Sequence, residues 1–389
     1  MKKVLFVLCL CAAAGNIFAI GSNNQKRFVK GTVADKTEAV RSASEKEILD
    51  LSKAAIEFSI NYKDLLGEDP ELAELVISGI ECLPYEYLEN ASTAEKNSIA
   101  NRLLTVYGLF SETNVRSVVL EKFTNSDLPV ENIVTQLNVY VKSVDPTAVD
   151  PDLIKQVISA LEKIGDSESF EILFKLCSES KREPFYAETE NAIAVLAKLS
   201  EQKILELISA GNIKDCRQML DLIAKNSKTE QIFSAQIAEN VLSRTIYIYE
   251  NTTKLSEELI PLQIDSFNLL AKNNWTRASA TAVRYLKNAE AEYNQKLLPE
   301  AEYCKIIESV IKIAPIGAIQ PLSSMLVTLN RQKEANIQEP SESVMLSIIN
   351  SLGEAGDKNA FDALLSVTYF EYPEPVIVAA RNALAKLKW

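Results

Sequence analysis

The side chains in this sequence with chemistry to offer are its carboxylates, its cysteines and two tyrosine-rich loops. Asp and Glu number 53 against 41 Lys and Arg, and there is no histidine. Histidine is the usual general base near neutral pH and the commonest metal ligand. Ser-His-Asp and Cys-His catalysis are therefore excluded, as are His-rich zinc sites. An enzyme built from this chain would run on carboxylates, Lys, Tyr or Cys. Asp150 and Asp152 are a close carboxylate pair, but they flank Pro151 at a helix start, where helix capping accounts for them. No DxDxDG calcium loop occurs, and neither does a GxGxxG or GxxxxGK[ST] phosphate loop. The sequence thus offers no catalytic, cofactor-binding or metal-binding residue, and a non-enzymatic role follows.

The tyrosine-rich loops are Pro84-Tyr85-Glu86-Tyr87 and Tyr369-Phe370-Glu371-Tyr372-Pro373. Exposed aromatic rings make strong interface anchors. Tyr85, Tyr87, Tyr369, Phe370 and Tyr372 are therefore the candidate protein-binding residues. The competing reading folds these rings back over the apolar seam between helices.

Four cysteines follow the first segment: Cys82, Cys177, Cys216 and Cys304. They are far apart and form no CxxC pair. Cys177 shares a helical face with Phe170 and Phe174, Cys216 with Ile213 and Leu220, and Cys304 with Ile307 and Ile311. Such placement favours four buried thiols over two disulfides.

The elements that must position these residues are helical. Only 11 Gly and 13 Pro interrupt the chain, and 47% of it is hydrophobic. Start signals recur: Ser44-x-x-Glu47 and Ser92-x-x-Glu95 read as capping boxes, and Asp69-Pro70 and Asp150-Pro151 as capped starts with proline at the first helical position. With the apolar stripes they predict about eighteen helices. The one alternating stretch, Arg244–Tyr249, continues the stripe of Ile237 and Val241 and reads as helix. Residues 200–330 are the least regular part.

Met1 to Ala19 has the layout of a secretory signal, with Lys2 and Lys3 leading an apolar run and Ile17-Phe18-Ala19 closing it. The competing reading is an uncleaved membrane anchor. The formal charge of −12 becomes −14 once those two lysines are removed. A chain so acidic, with no basic run longer than two, repels nucleic acid and anionic lipid. The predicted organisation is a signal peptide at 1–19, a flexible leader at 20–43 and a repeat domain at 44–389, with an N-terminal helical lobe at 44–145 inside it. No segment after the signal is long and apolar enough to span a bilayer.

Two stretches repeat without gaps. Leu161 to Phe174 reads LEKIGDSESFEILF, and Leu352 to Leu365 reads LGEAGDKNAFDALL. Self-similarity of this kind in a helical chain marks a stacked solenoid. In this reading Gly165 and Gly356 end helices in a left-handed conformation, while Asp166 and Asp357 cap the next ones. Ala379, Ala380 and Ala383 let helices approach closely.

The C-terminal unit, with Pro375-Val376 and the Ala379-Ala380 pair completing it, resembles a HEAT repeat of the short type found in phycobilisome-lyase-like proteins. The likeness is close over 341–387 and extends to the first half of 151–199. It implies a right-handed, armadillo-like α-solenoid of antiparallel helix pairs that binds protein along its surface. It carries over no catalytic residue and no cofactor. An exported, periplasmic scaffold binding another cell-envelope protein is the expected function. A chaperone for exported chains and an all-α envelope enzyme are the alternatives.

Overall fold

The computed structural model describes residues 22–181, 183–227, 229–252, 256–337 and 339–388. Residues 1–19, where a signal segment is expected, and Trp389 lie outside them. The described residues are all-helical, with twenty-one α-helices and no β-strand among them. The chain resolves into two compact units, one ending at Leu199 and the other starting at Ser200. The lobe expected at 44–145 lies inside the first.

The first unit carries α1 Asn23–Lys30, α2 Val33–Arg41, α3 Ile48–Leu66, α4 Pro70–Glu81, α5 Tyr85–Asn90, α6 Thr93–Leu109, α7 Thr113–Thr124, α8 Glu131–Ser143, α9 Pro151–Ile164, α10 Ser167–Glu179 and α11 Tyr186–Leu196. The second carries α12 Glu201–Ala210, α13 Ile213–Met219, α14 Gln231–Asn251, α15 Leu259–Lys272, α16 Ser279–Asn294, α17 Glu300–Ile313, α18 Ile319–Glu334, α19 Glu342–Ala355, α20 Phe361–Val367 and α21 Glu374–Lys386. Arg244–Tyr249 is helical, as expected, inside α14.

Within each unit the substantial packing runs between helices close in sequence. Helix α9, for example, packs on α7, α8 and α11, and α19 packs on α17, α18 and α21. No substantial contact reaches more than three helices along. Each helix therefore covers its apolar stripe with near neighbours in the chain, and the core is a succession of local layers.

Several start signals work as read. Ser92 and Glu95 form a reciprocal capping box, and the carboxylates of Asp69 and Asp150 accept from the amides of Glu71 and Asp152. Ser44 and Glu47 also bond to each other, but they close a turn, and α3 begins at Ile48.

Residues 20–43 differ from the expected flexible leader. From Ser22 onward they form two capped helices, with capping boxes Ser22–Gln25 and Thr32–Asp35. Phe28, Ala39 and Val40 then bury against Leu51, Ala55 and Leu75. Three apolar residues are too few to show a stripe in sequence, yet they suffice to cover the outer face of α3 and α4.

The repeat glycines play unequal parts. Gly356 ends α19 in the left-handed region with φ of 63°, a conformation that glycine adopts without the Cβ clash other residues meet there. Gly165 does not: its φ is −69° and its backbone is extended. It is needed because a Cβ there would lie 2.3 Å from the carbonyl oxygen of Leu161 and 3.0 Å from Cβ of Ser169. Asp166 follows at once as the cap of α10, bonding the amide of Ser169 at 2.8 Å. Asp357 caps the short turn before α20 through the amide of Asn359.

Helices α19 and α21 touch almost backbone to backbone. A Cβ on Gly353 would stand 2.8 Å from Cβ of Ala383 and 2.9 Å from its Cα. Ala380 and Ala383 are buried in this contact region, while Ala379 is half-buried. Gly353→Val should therefore lower stability by about 1–3 kcal/mol through overpacking. Gly108→Ala, in α6 with open space around it, should raise stability by about 0.5–1 kcal/mol. Denaturant unfolding of the two variants beside the wild type checks both signs.

Candidate interaction surface

The two tyrosine-rich loops serve different ends. Tyr85 and Tyr87 sit on α5, a short helix begun by Pro84. Beneath Tyr85 lies Lys122 of α7, 2% exposed. Its ammonium is 3.9 Å from the centre of the Tyr85 ring and donates to the carbonyls of Leu83 at 3.0 Å and Glu81 at 3.4 Å. A lysine from one helix thus satisfies the last carbonyls of another, which have no partner within their own helix. Burial pulls its pKa down to about 8, against the opposing pull of the Glu121 charge. The Tyr85 ring lends the ammonium its negative face and keeps 39% of its own surface exposed.

Tyr87 is half-buried and belongs to a relay. Its hydroxyl accepts from Lys53 at 2.9 Å and donates to Glu95 at 2.7 Å. The hydroxyls of Tyr87 and Ser92, then the backbone amide of Ser92, hold the Glu95 carboxyl down at about 2. One carboxylate therefore caps α6 and ties α5 to it.

In the second loop, Tyr372 is buried. Its hydroxyl donates to Asn330 at 2.8 Å, and Asn330 in turn donates to Ser366 at 2.8 Å. Lys333 lies 4.8 Å above its ring, and Phe370 meets it edge-on at 6.4 Å. Burial first, then the Glu339 charge, raises its hydroxyl to about 12. Phe370 is half-buried and Tyr369 is 74% exposed. The loop is held by one ring and presents another.

Of the five aromatic candidates, Tyr372 and Tyr87 are therefore committed inward, Tyr85 covers a buried cation, Phe370 buttresses Tyr372, and Tyr369 faces solvent. The structure also exposes apolar side chains that sequence reasoning missed, among them Leu65 and Val139 in the first unit and Ile232, Ile316 and Ile337 in the second. Leu65, Val139 and Ile232 lie on helices whose apolar stripes are otherwise buried, and Ile316 and Ile337 lie in turns, so periodicity alone does not single them out.

Among the described residues no disulfide joins the thiols; Cys177, Cys216 and Cys304 are buried and Cys82 is half-buried. Burial pushes the Cys216 thiol up to about 12, far from the reactive thiolate range. Among the described residues no group of three or more acidic or cysteine side chains is placed to hold a metal ion, and no helix is long and apolar enough to cross a membrane. No protein-family model matches this chain, and a search of curated proteins finds no significant match.

The two loops make separable predictions. Tyr372→Phe should cost about 0.5–1.5 kcal/mol by leaving Asn330 short of a partner, whereas Tyr369→Ala should stay within about 0.5 kcal/mol of the wild type; thermal unfolding distinguishes them. Tyr87→Phe should raise the titration midpoint of Glu95, read by carboxyl-carbon NMR. The sign follows from linkage: Glu95 binds its proton more weakly folded than unfolded. Its stabilising contribution is complete above pH 4.5 and lost as pH falls through about 2. The variant should move that loss to higher pH.

Proposed function

We propose that this chain is an exported, non-catalytic scaffold, a HEAT-like α-solenoid that binds another protein of the cell envelope. The observation that carries the reading is the packing order: within each unit, helices pack on neighbours close in sequence, the signature of repeat architectures. The internal repeat at 161–174 and 352–365 supports it, with Asp166 and Asp357 capping at matching positions. In this reading the helices form antiparallel pairs in a right-handed superhelix, residues 1–19 direct export to the periplasm, and neither cofactor nor nucleic acid takes part.

Solenoids expose long surfaces relative to their core, and their ordinary work is recognition. Tyr369 is the proposed anchor on the second unit, because an exposed ring on a braced loop loses little conformational entropy when a partner covers it. The edge of Tyr85 is the corresponding point on the first unit.

The test is in-cell crosslinking, followed by affinity purification of the mature protein and mass spectrometry, with Tyr369→Ala run beside the wild type. One or a few stoichiometric envelope proteins, with recovery reduced at least several-fold by Tyr369→Ala, are expected. A broad set of unfolded clients would instead assign a chaperone, and no protein partner at all would remove the scaffold reading.

A further inference from the structure

Glu292, near the end of α16, is fully buried, and neither of its carboxylate oxygens has a hydrogen-bond partner among the described residues. The hydroxyl of Tyr285, two turns earlier on the same helix, is likewise buried and unpartnered. A buried carboxylate with neither cation nor donor is among the most unfavourable arrangements a fold can hold, whereas the neutral acid is tolerated.

Among the described residues the surroundings offer no countercharge. Helix α16 packs mainly on α14, on α17 and on the turn Thr276–Ala278; Phe267 of α15 also meets Tyr285, and of the charged side chains on α15 Asp265 pairs with Arg217 and Lys225 while Lys272 is exposed. From α14 come Tyr249, which responds to the Glu292 charge, and Glu250. From α17 come Glu300, Glu302 and Tyr303. On α16 itself stand Tyr285, Glu290 and Tyr293. Every basic side chain on these elements is otherwise placed. Arg244 donates to the carbonyl of Gly211, Arg284 pairs with Glu250, and Lys305 pairs with Glu302. Arg277 lies over Trp275, Lys287 lines an open groove with Gln320, and Lys312 is exposed. Desolvation alone acts on the Glu292 carboxyl and pushes it up to about 7.

The position matters as much as the charge. The backbone carbonyl of Glu292 accepts from the amides of Leu297 at 2.9 Å and Leu298 at 3.3 Å. Those bonds close the turn that joins α16 to α17, with Lys296 at its apex in the left-handed region, φ 61°. The residue that must stay neutral is therefore the one that latches the turn. An ionised side chain gains by reaching water, and an outward movement of the end of α16 would bring it there.

We propose that Glu292 is a proton-controlled latch: protonated, it holds the α16–α17 turn closed, and its ionisation loosens that turn. The sign follows from linkage. Glu292 binds its proton more tightly folded than unfolded, so its contribution to stability is complete below pH 4.5 and lost as pH rises through about 7. Histidine, the ordinary source of such behaviour, is absent from the chain.

Hydrogen exchange read by mass spectrometry tests this on the full chain. Exchange of residues 293–299 is compared at pH 6 and pH 8 after correction for intrinsic rates, in the wild type, Glu292→Gln and Glu290→Gln. In the wild type and in Glu290→Gln, local opening should rise about tenfold between the two pH values. In Glu292→Gln it should stay constant. A wild type whose corrected exchange does not change overturns the proposal, and so does a Glu292→Gln variant that changes as the wild type does. If Glu292→Gln does not fold, the wild-type and Glu290→Gln comparison still decides: the rise must be present in both, and its loss in Glu290→Gln would move the effect to that neighbour and overturn the assignment.

Discussion

Each described helix buries an apolar face, and packing on neighbours close in sequence is what covers it. Helix α9 lies on α7, α8 and α11, and α19 on α17, α18 and α21. No sheet is present among the described residues to share the load. Much else follows from that constraint. Connections stay short, so capping residues follow directly on helix ends, as Asp166 follows Gly165. Small residues recur where backbones must meet, as Gly353 and Ala383 do. The first helices need cover, and α1 and α2 supply it with Phe28, Ala39 and Val40.

The same constraint decides what happens to polar groups. A chain of many short helices has many helix ends, each with backbone groups that lack internal partners. Some are met locally, as by Ser92 and Glu95. Others are met from a distance: Lys122 of α7 closes the carbonyls at the end of α4, and Arg244 of α14 does so for Gly211 after α12. Such long reaches draw charge into the interior, where aromatic rings shelter it. Lys36 lies over Phe28 and Phe58, Lys63 over Phe110, and Lys122 beneath Tyr85. Tyr85, in the first tyrosine-rich segment, is the roof of one of these cations. Glu292 is the exception that has found no such partner.

A surface for recognition is then what remains after the helices have covered one another. Tyr372 is spent on bracing its loop, and Tyr369 is what the loop presents. Bracing and presentation are coupled, because a ring held in place by its neighbours costs less to immobilise on binding than one on a mobile loop.

The sequence by itself determined the local matters. Helix content, the capped starts at Asp69, Ser92 and Asp150, the helical state of Arg244–Tyr249 and the left-handed Gly356 are all governed by residues within a few positions of one another. The capping boxes of α1 and α2, at Ser22-x-x-Gln25 and Thr32-x-x-Asp35, went unread because the apolar residues beside them are too sparse to form a stripe. Only the tertiary structure decided the rest. Gly165 is required by crowding against Leu161 and Ser169 in an extended turn, not by a left-handed φ. Whether Tyr369 or Tyr372 faces solvent depends on Asn330 and Lys333, some forty residues earlier. The roles of Lys122 and Glu292 depend on which groups of neighbouring helices each one meets. Periodicity reports how a helix partitions its own faces; it holds no information on the charge or the hydrogen-bonding groups of the helix that comes to lie against them.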